Sequence, residues 1–512
     1  MRLRRFYVSR YRVLRHFEIK FHPDETTLGG TRPAYGIDFL VGLNGSGKST
    51  VLQAIFHIFR QLEASPAVPI TFELEYELRS PDGTLRLVLL SNRQQDDQGE
   101  DVRSDLRIII DGDELPISGQ SVPRDLLPEL VVAFTTGDEE EWSRTTISYA
   151  DDLMDPARAS DLSMIEQALR ELPGKSPLGQ FDSSNITSEA SRCMLIRAMD
   201  LPLVTLAGLL ENMRHIEHSP LKDVLQQAGI GEMRGFSLRF RLNRGIVSEL
   251  EYEHVARLRT YATRALRLGS DRLLVFDLSS SNGTVGGVLS EFSSGLGLVQ
   301  TLSRMQAMLD RTENVLQEVN VFIERVGGDD QGSDDEEIPL HLLSWLSDGE
   351  QSFLGRMSLF TLMREKETLI LLDEPEVHFN DYWKRHIVHL LDSALFNQFS
   401  HLLVTTHSSI TLTDVSREDI VLLDRQGVYT SNTYNPATRT LAADPGDVMV
   451  HVFGAPYPTG ALAVSRISKL LEDLQERPSP DRVAMLRALL DQVAPGYWSY
   501  RIRQALTEAD NE

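Results

Sequence analysis

The sequence predicts an α/β fold with a mixed sheet: two lobes set apart by a long middle segment, then a helical tail. Three observations predict it. An apolar run, "AYGIDFLVG", leads straight into a glycine-rich turn and then into "STVLQAIFHIFRQLEA", whose Val51, Leu52, Ile55, Ile58 and Phe59 fall on one side of a helix. Far downstream, the apolar runs in "ETLILLDEPEVHFND" and "HLLVTTHSSI" end at Asp373–Glu374 and just before His407. Strand-like text surrounds the first run, and helical text fills much of the middle and the end.

The elements follow in order. "LRRFYVSRYRVL" and "HFEIKFH" alternate as an antiparallel pair should. "ITFELEYELRS", "TLRLVLLSN" and "DLRIIIDGDEL" read as three strands joined by turn chemistry, and "ELVVAFTTG" as another buried strand. From about 150 to 235 the chain reads as helical and strand-poor. There "SPLKDVLQQAGIG" carries Ser219 as an N-cap, Pro220 at the first position and Gly229 at the stop. "GFSLRFRLN" and "DRLLVFDLS" return to strand. "LVQTLSRMQAMLDRTENVLQEVNVFIERV" places Leu302, Met305, Leu309, Leu316, Val319, Ile323 and Val326 roughly on a heptad, which predicts one long amphipathic helix. "GALAVSRISKLLEDLQE" and "DRVAMLRALLDQV" predict helices in the tail. The expected organisation is therefore 1–150 as a first lobe and 151–235 as a helical insertion. Residues 236–338 supply strands and a long helix that complete the head or form a short arm, 339–440 form a second lobe, and 441–512 form a helical C-terminal region.

The 512 residues carry a formal net charge of −24, which argues against a surface coated in basic residues for nucleic acid. Arginines gather at residues 2–15 and from "MRGFSLRFRLNRG" through "HVARLRTYATRALRLGSDR", so DNA stays a candidate partner through local charge. No stretch approaches the roughly 20 apolar residues of a membrane span. The basic N-terminus alternates and lacks the apolar core of a signal peptide. A single cysteine, Cys193, excludes a disulfide framework and a cysteine-based zinc site. A cytoplasmic protein with no membrane partner is the expectation.

"GLNGSGKS" satisfies G-x-x-x-x-G-K-[ST] at Gly42, Gly47, Lys48 and Ser49, between an apolar strand and an amphipathic helix. Glycines let backbone N–H groups curl around phosphate oxygens, and the helix N-terminus adds a positive dipole end. The cradle is expected to span Asn44, Gly45, Gly47, Lys48, Ser49 and Thr50, with Lys48 on the β- and γ-phosphates and the Ser49 hydroxyl on Mg²⁺. Asp373, at the end of an apolar strand, suits the same Mg²⁺. Glu374 directly after it is placed to accept a proton from an attacking water. His407, just past another strand, can bond the γ-phosphate or orient that water. "LSDGEQ" adds a hydroxyl at Ser347, a glycine-permitted backbone approach at Gly349 and a helix start with Glu350 in its first turn.

Together, Gly42–Thr50, Leu346–Glu350, Leu369–Glu374 and His407 resemble the Walker A, signature, Walker B and switch histidine of the ATP-binding-cassette superfamily. Asp348 stands where that signature usually has glycine, a departure common in the SMC/RecF/OLD-like branch. "DEPEVHF" resembles the same branch, with Phe379 and Asn380 departing from its usual pattern. Lys48 and Gly349 are 301 residues apart, far beyond a compact transporter cassette, while Gly349 and Asp373 are 24 apart, room for one helix and one strand. The resemblance implies an ATP- and Mg²⁺-dependent ATPase whose Ser347, Gly349 and Glu350 complete the site of a second copy. The result is a head-to-head homodimer around two ATP, with larger oligomers open.

Proteins of the OLD family append a nuclease module that needs a glutamate and a D-x-D pair. Here Glu418, Asp419 and Asp424 occur, but no D-x-D follows. Among stand-alone relatives the layout resembles Septu-type (PtuA-like) and PARIS-type anti-phage ATPases. That resemblance implies a nucleotide-dependent switch or scaffold controlling a separate nuclease or toxin effector. A DNA-repair ATPase that binds ends or gaps, and a non-hydrolysing platform held together by ATP, are the alternatives.

Overall fold

Strands buried on both faces read as unbroken apolar runs, whereas strands with one wet face alternate. Both kinds occur here, and they divide one large sheet. The structure, a computed structural model, describes residues 1–21, 35–80, 82–96, 99–116, 122–137, 139–143, 192–214, 221, 225–226, 229–242, 249–278, 282–306, 314–325, 340–363, 367–395, 398–477 and 479–511. They form two units, Met1–Ala442 and Ala443–Glu512.

The strands of the first unit are β1 (Arg2–Tyr11), β2 (Leu14–Lys20), β3 (Gly36–Val41), β4 (Phe72–Arg79), β5 (Leu85–Gln95), β6 (Asp101–Ile110), β7 (Asp113–Leu115), β8 (Leu130–Thr135), β9 (Cys193–Ile196), β10 (Ile230–Arg241), β11 (Arg264–Leu268), β12 (Asp271–Asp277), β13 (Leu316–Arg325), β14 (Leu340–Leu342), β15 (Thr368–Asp373), β16 (His401–Thr405), β17 (Ile420–Gln426) and β18 (Tyr429–Tyr434). Among the described residues the main sheet has the order β7-β6-β5-β4-β1-β2-β18-β17-β3-β16-β15-β8-β9. From β17 through β3, β16, β15 and β8 to β9 the neighbours are parallel. Here β8, β15 and β16 are buried at every position. From β2 through β1, β4, β5 and β6 to β7 the pairing is antiparallel, and β4 alternates buried with half-buried positions. The mixed α/β fold expected from sequence is the fold observed. The helix Lys48–Ala64 packs Val51, Leu52, Ile55, Ile58, Phe59 and Leu62 into the same core as β1, β4 and β15.

A second, smaller sheet has the order β11-β12-β10-β13-β14 and stacks Phe236 on Phe276 at 4.3 Å between ring centroids. It corrects one expectation. The long helix expected from Leu298 to Val326 is instead a helix at Gly295–Gln306 and the strand β13; residues 307–313 lie outside the described set. "LQEVNVFIER" satisfies a heptad and a two-residue period alike. Pairing with β10 along nearly its whole length and with β14 at Phe322–Glu324 settles the matter, and β-branched Val319, Val321 and Ile323 suit a pleated strand.

The region 151–235, expected to be a helical insertion, supplies core structure where it is described. Strand β9 closes one edge of the main sheet against β8. The helix Leu201–Arg214 packs against the helix Asp348–Leu362. At Gly208 the two come so close that a Cβ would sit 2.4 Å from the Cβ of Ser358. The cap at Ser219–Pro220 lies outside the described residues; Gly229 has φ +62°, the left-handed conformation expected at a helix stop.

The second unit holds the helices Pro445–His451, Ala461–Glu476, Pro480–Leu490 and Tyr497–Asn511. Ile467, Leu471, Leu474, Leu486, Ile502 and Leu506 form its core. Ser479 caps the third of these helices through the Arg482 N–H, with Pro480 at its first turn.

On the helix Lys48–Ala64, His57 is buried beside Phe56 and donates its Nε2–H to the Glu141 carbonyl, 3.0 Å away. Burial lowers its pKa to about 4 from 6.5. Below pH 6.5 the unfolded chain takes a proton that the folded chain refuses until about pH 4. The contribution to stability is therefore intact above 6.5 and lost as pH falls toward 4, by about 3 kcal/mol in full. Urea titrations of His57→Phe and the parent chain at several pH values check this. The variant should lose that part of the acid slope, and an equal slope in both proteins would refute it.

Candidate active site

In open α/β sheets, ligands bind beyond the carboxyl ends of the parallel strands. At that edge β3 opens into the glycine loop, β15 ends at Asp373, β16 at Thr405 and β8 at Thr135. Because β16 lies between β3 and β15, residues more than 300 positions apart in sequence become neighbours.

The loop turns at Gly45 (φ +77°) and Gly47 (φ +90°), and the helix begins at Lys48. A side chain at Gly47 would be strained by its backbone conformation and would press on Val13, 2.9 Å away. Lys48 is buried, and its Nζ donates to the carbonyls of Gly42 (3.1 Å) and Leu43 (3.3 Å). Burial lowers the Lys48 pKa, opposed by Glu374 and Asp373. The Ser46 hydroxyl is buried inside the loop and has no partner among the described residues. Asn44 is exposed, and Thr50 is half-buried on the first turn of the helix.

Asp373 is the hub. Its Oδ1 accepts from Ser49 Oγ (2.8 Å) and Thr405 Oγ1 (2.7 Å), and its Oδ2 accepts from Thr135 Oγ1 (3.1 Å). Glu374 takes the left-handed conformation, φ +51°, which strains a non-glycine residue by about 1–3 kcal/mol. Its backbone N–H is held by Thr405 Oγ1 at 2.9 Å, and its Oε1 meets His407 Nε2 at 3.0 Å. Burial and the Lys48 charge lower the His407 pKa, while Glu374 opposes them.

The sequence-predicted residues Lys48, Ser49, Asp373, Glu374 and His407 are thus brought together. Thr135 and Thr405 share the carboxylate with Ser49, and sequence reasoning missed them. The only hint was "VTTH", where polar residues begin before the histidine. Also missed was Arg425, on β17, whose Nη1 donates to the Gly45 carbonyl at 3.3 Å.

Ser347, Gly349 and Glu350 lie apart from this cluster. Among the described residues no hydrogen bond or ion pair joins them to the loop. Ser347 caps the helix Asp348–Leu362 through the Glu350 N–H, and Glu350 closes the box on the Ser347 N–H at 2.8 Å. Glu350, expected at the nucleotide, is engaged by this cap and by Arg325 Nη2 at 3.0 Å, so its carboxylate orders the helix start. A Cβ at Gly349 would come 2.8 Å from the His378 carbonyl, which explains the glycine as a packing requirement.

The donor set suits a magnesium nucleotide. A hydroxyl beside a carboxylate supplies hard oxygen ligands, the buried ammonium faces anions, and the orphaned Ser46 hydroxyl lies in the cradle. Among the described residues no group of three or more His, Cys, Asp and Glu could hold a metal alone. A Mg²⁺ at Ser49 and Asp373 would therefore take its other ligands from phosphate and water.

Comparison with known families adds a partial match. Residues 262–414 match the family described as "AAA domain, putative AbiEii toxin, Type IV TA system". The AAA-domain match contains Ser347, Asp373, Glu374 and His407 and leaves Gly42–Thr50 outside. Comparison with curated proteins finds no match. Among solved structures, the SMC head domain from Thermotoga maritima is similar at 13% identity and TM-score 0.34, covering 86% of this chain and 100% of that one. The Smc head domain with an extended coiled coil bound to the C-terminal domain of ScpA, derived from Pyrococcus furiosus, gives 12%, 0.32, 85% and 96%. Among the described residues no helix is long and apolar enough to cross a membrane.

Proposed function

We propose that this chain binds and hydrolyses ATP with Mg²⁺. The observation that carries this is the Ser49–Asp373 contact of 2.8 Å, set beside Lys48 and the Glu374–His407 pair. Ser49 and Asp373 would hold Mg²⁺, which neutralises phosphate charge and polarises the bond to be cleaved. Lys48 neutralises the β- and γ-phosphates. Glu374 accepts the proton of the attacking water, and His407 fixes the direction of that carboxylate.

The site is completed by a second copy. Ser347 is exposed at a helix start and holds no ligand of its own chain's loop. The two most exposed large apolar residues among those described are Leu43 (71%), in the phosphate loop, and Trp345 (67%), two residues before Ser347. A head-to-head dimer sets loop against helix start and covers both at once. ATP then closes the dimer and hydrolysis reopens it, a two-state switch. The name of the family matched by residues 262–414 mentions a toxin–antitoxin system. A role in bacterial defence, exercised through a separate effector, is the further part of this proposal.

Light scattering tests the composite site. With ATP and Mg²⁺ the chain should shift from monomer to dimer. Ser347→Arg should abolish the shift while nucleotide still binds, because a bulky cation replaces the exposed hydroxyl. Dimerisation that ignores ATP, or that survives Ser347→Arg, would refute the arrangement.

A further inference from the structure

A buried polar atom without a partner is costly, and two such atoms belong to a guanidinium and a carboxyl held at the same loop. Arg356, on the helix that starts at Ser347, is 2% exposed. Its Nη1 donates to the Pro375 and Val377 carbonyls, the latter at 3.1 Å, so the guanidinium grips both sides of Glu376. The guanidinium lies over Phe134 at 4.9 Å and Phe379 at 4.6 Å. Among the described residues its Nε has no partner.

Glu376 is 5% exposed. Its Oε1 accepts from Thr406 Oγ1 at 2.5 Å and from the His407 N–H at 3.1 Å, which fixes the backbone that carries the histidine. Its Oε2 has no partner among the described residues. The loop between is bounded by two residues in left-handed conformation, Glu374 (φ +51°) and His378 (φ +72°), so it is held under strain by these few bonds. On the helix side, Arg356 lines a cavity of about 270 Å³ with Gln351, Ser352, His378, Phe134 and Thr136.

We infer that Arg356 and Glu376 are positioning residues that connect the Ser347 helix to the Glu374–His407 pair within one chain. When a second copy engages Ser347, the hold passes along the helix through Arg356 to the Pro375 and Val377 carbonyls and through Glu376 to the His407 N–H, which keeps Glu374 and His407 in register for the water. Contact across the dimer thereby becomes a condition for turnover, which suppresses hydrolysis by a lone chain.

This rests on reading Glu374–His407 as the hydrolytic pair, and the experiment separates the two claims. Arg356→Met, the isosteric Glu376→Gln and the double variant are compared with the parent chain for nucleotide affinity, steady-state kcat and KM, and thermal unfolding. Each single variant should lower kcat about 10- to 100-fold with KM and nucleotide affinity unchanged. The double variant should be no slower than the slower single variant, because both changes cut one link. If the parent chain neither binds nor hydrolyses ATP, the reading of the site has failed. If the parent turns over and the folded Glu376→Gln protein keeps its kcat, the link alone is overturned. Multiplying losses in the double variant would overturn it as well. Should Arg356→Met unfold, Glu376→Gln decides the matter.

Discussion

Glu374→Gln lowers ATP turnover about 10²- to 10⁴-fold and leaves nucleotide bound. The amide keeps the size of the carboxylate and can still meet His407 Nε2, 3.0 Å away in the parent chain, but it cannot accept a proton from water. The Glu374 N–H bond to Thr405 Oγ1 is a backbone contact, so the strained turn survives the change. Lys48, Ser49 and Asp373 are untouched, and affinity should hold. The variant should also stay dimeric in ATP, since the step that reopens the dimer is blocked. Phosphate release and light scattering on the same sample measure both effects. Turnover at the parent rate would remove Glu374 as the base.

The second large effect is at Lys48. Lys48 is buried and bonded to the Gly42 and Leu43 carbonyls, and burial lowers its pKa against the opposing charges of Glu374 and Asp373. Charge-assisted bonds to phosphate are worth about 1.5–3 kcal/mol, so Lys48→Ala should weaken ATP binding about 100-fold. ATP-dependent dimerisation should vanish with it at ordinary nucleotide concentrations. Equilibrium binding of a fluorescent ATP analogue reads the first effect. Unchanged affinity would show that the loop cradles no phosphate. The two variants differ in kind: Glu374→Gln separates binding from turnover, and Lys48→Ala removes both.

Much of this was legible in the sequence. The glycine loop, the strand ending in Asp373–Glu374 and the strand before His407 each declare themselves through local rules: turn glycines, unbroken apolar runs and abrupt polar ends. Those rules hold in the structure because parallel strands buried on both faces admit few polar residues except at their ends. Less legible were residues whose role lies in whom they meet. Thr135 and Thr405 are unremarkable in their strands and matter because Asp373 lies between β8 and β16. Arg356 looks like a stray charge in an apolar helix, and Glu376 like a loop acid. Only the approach of that helix to the loop makes them neighbours.

By itself, then, the sequence determined the local chemistry: where a glycine turn opens a helix, which carboxylates stand at strand ends, and which helices carry an apolar face. The tertiary structure decided what local periodicity cannot. The run from Leu316 to Arg325 fits a helical heptad and a strand alike, and pairing with β10 and β14 made it a strand. Strand order had the same kind of arbiter. Placing β16 between β3 and β15 joins Ser49 to Asp373 across 324 positions of chain. Hydrogen bonding and burial between distant segments set that contact, and neither is encoded in a short window.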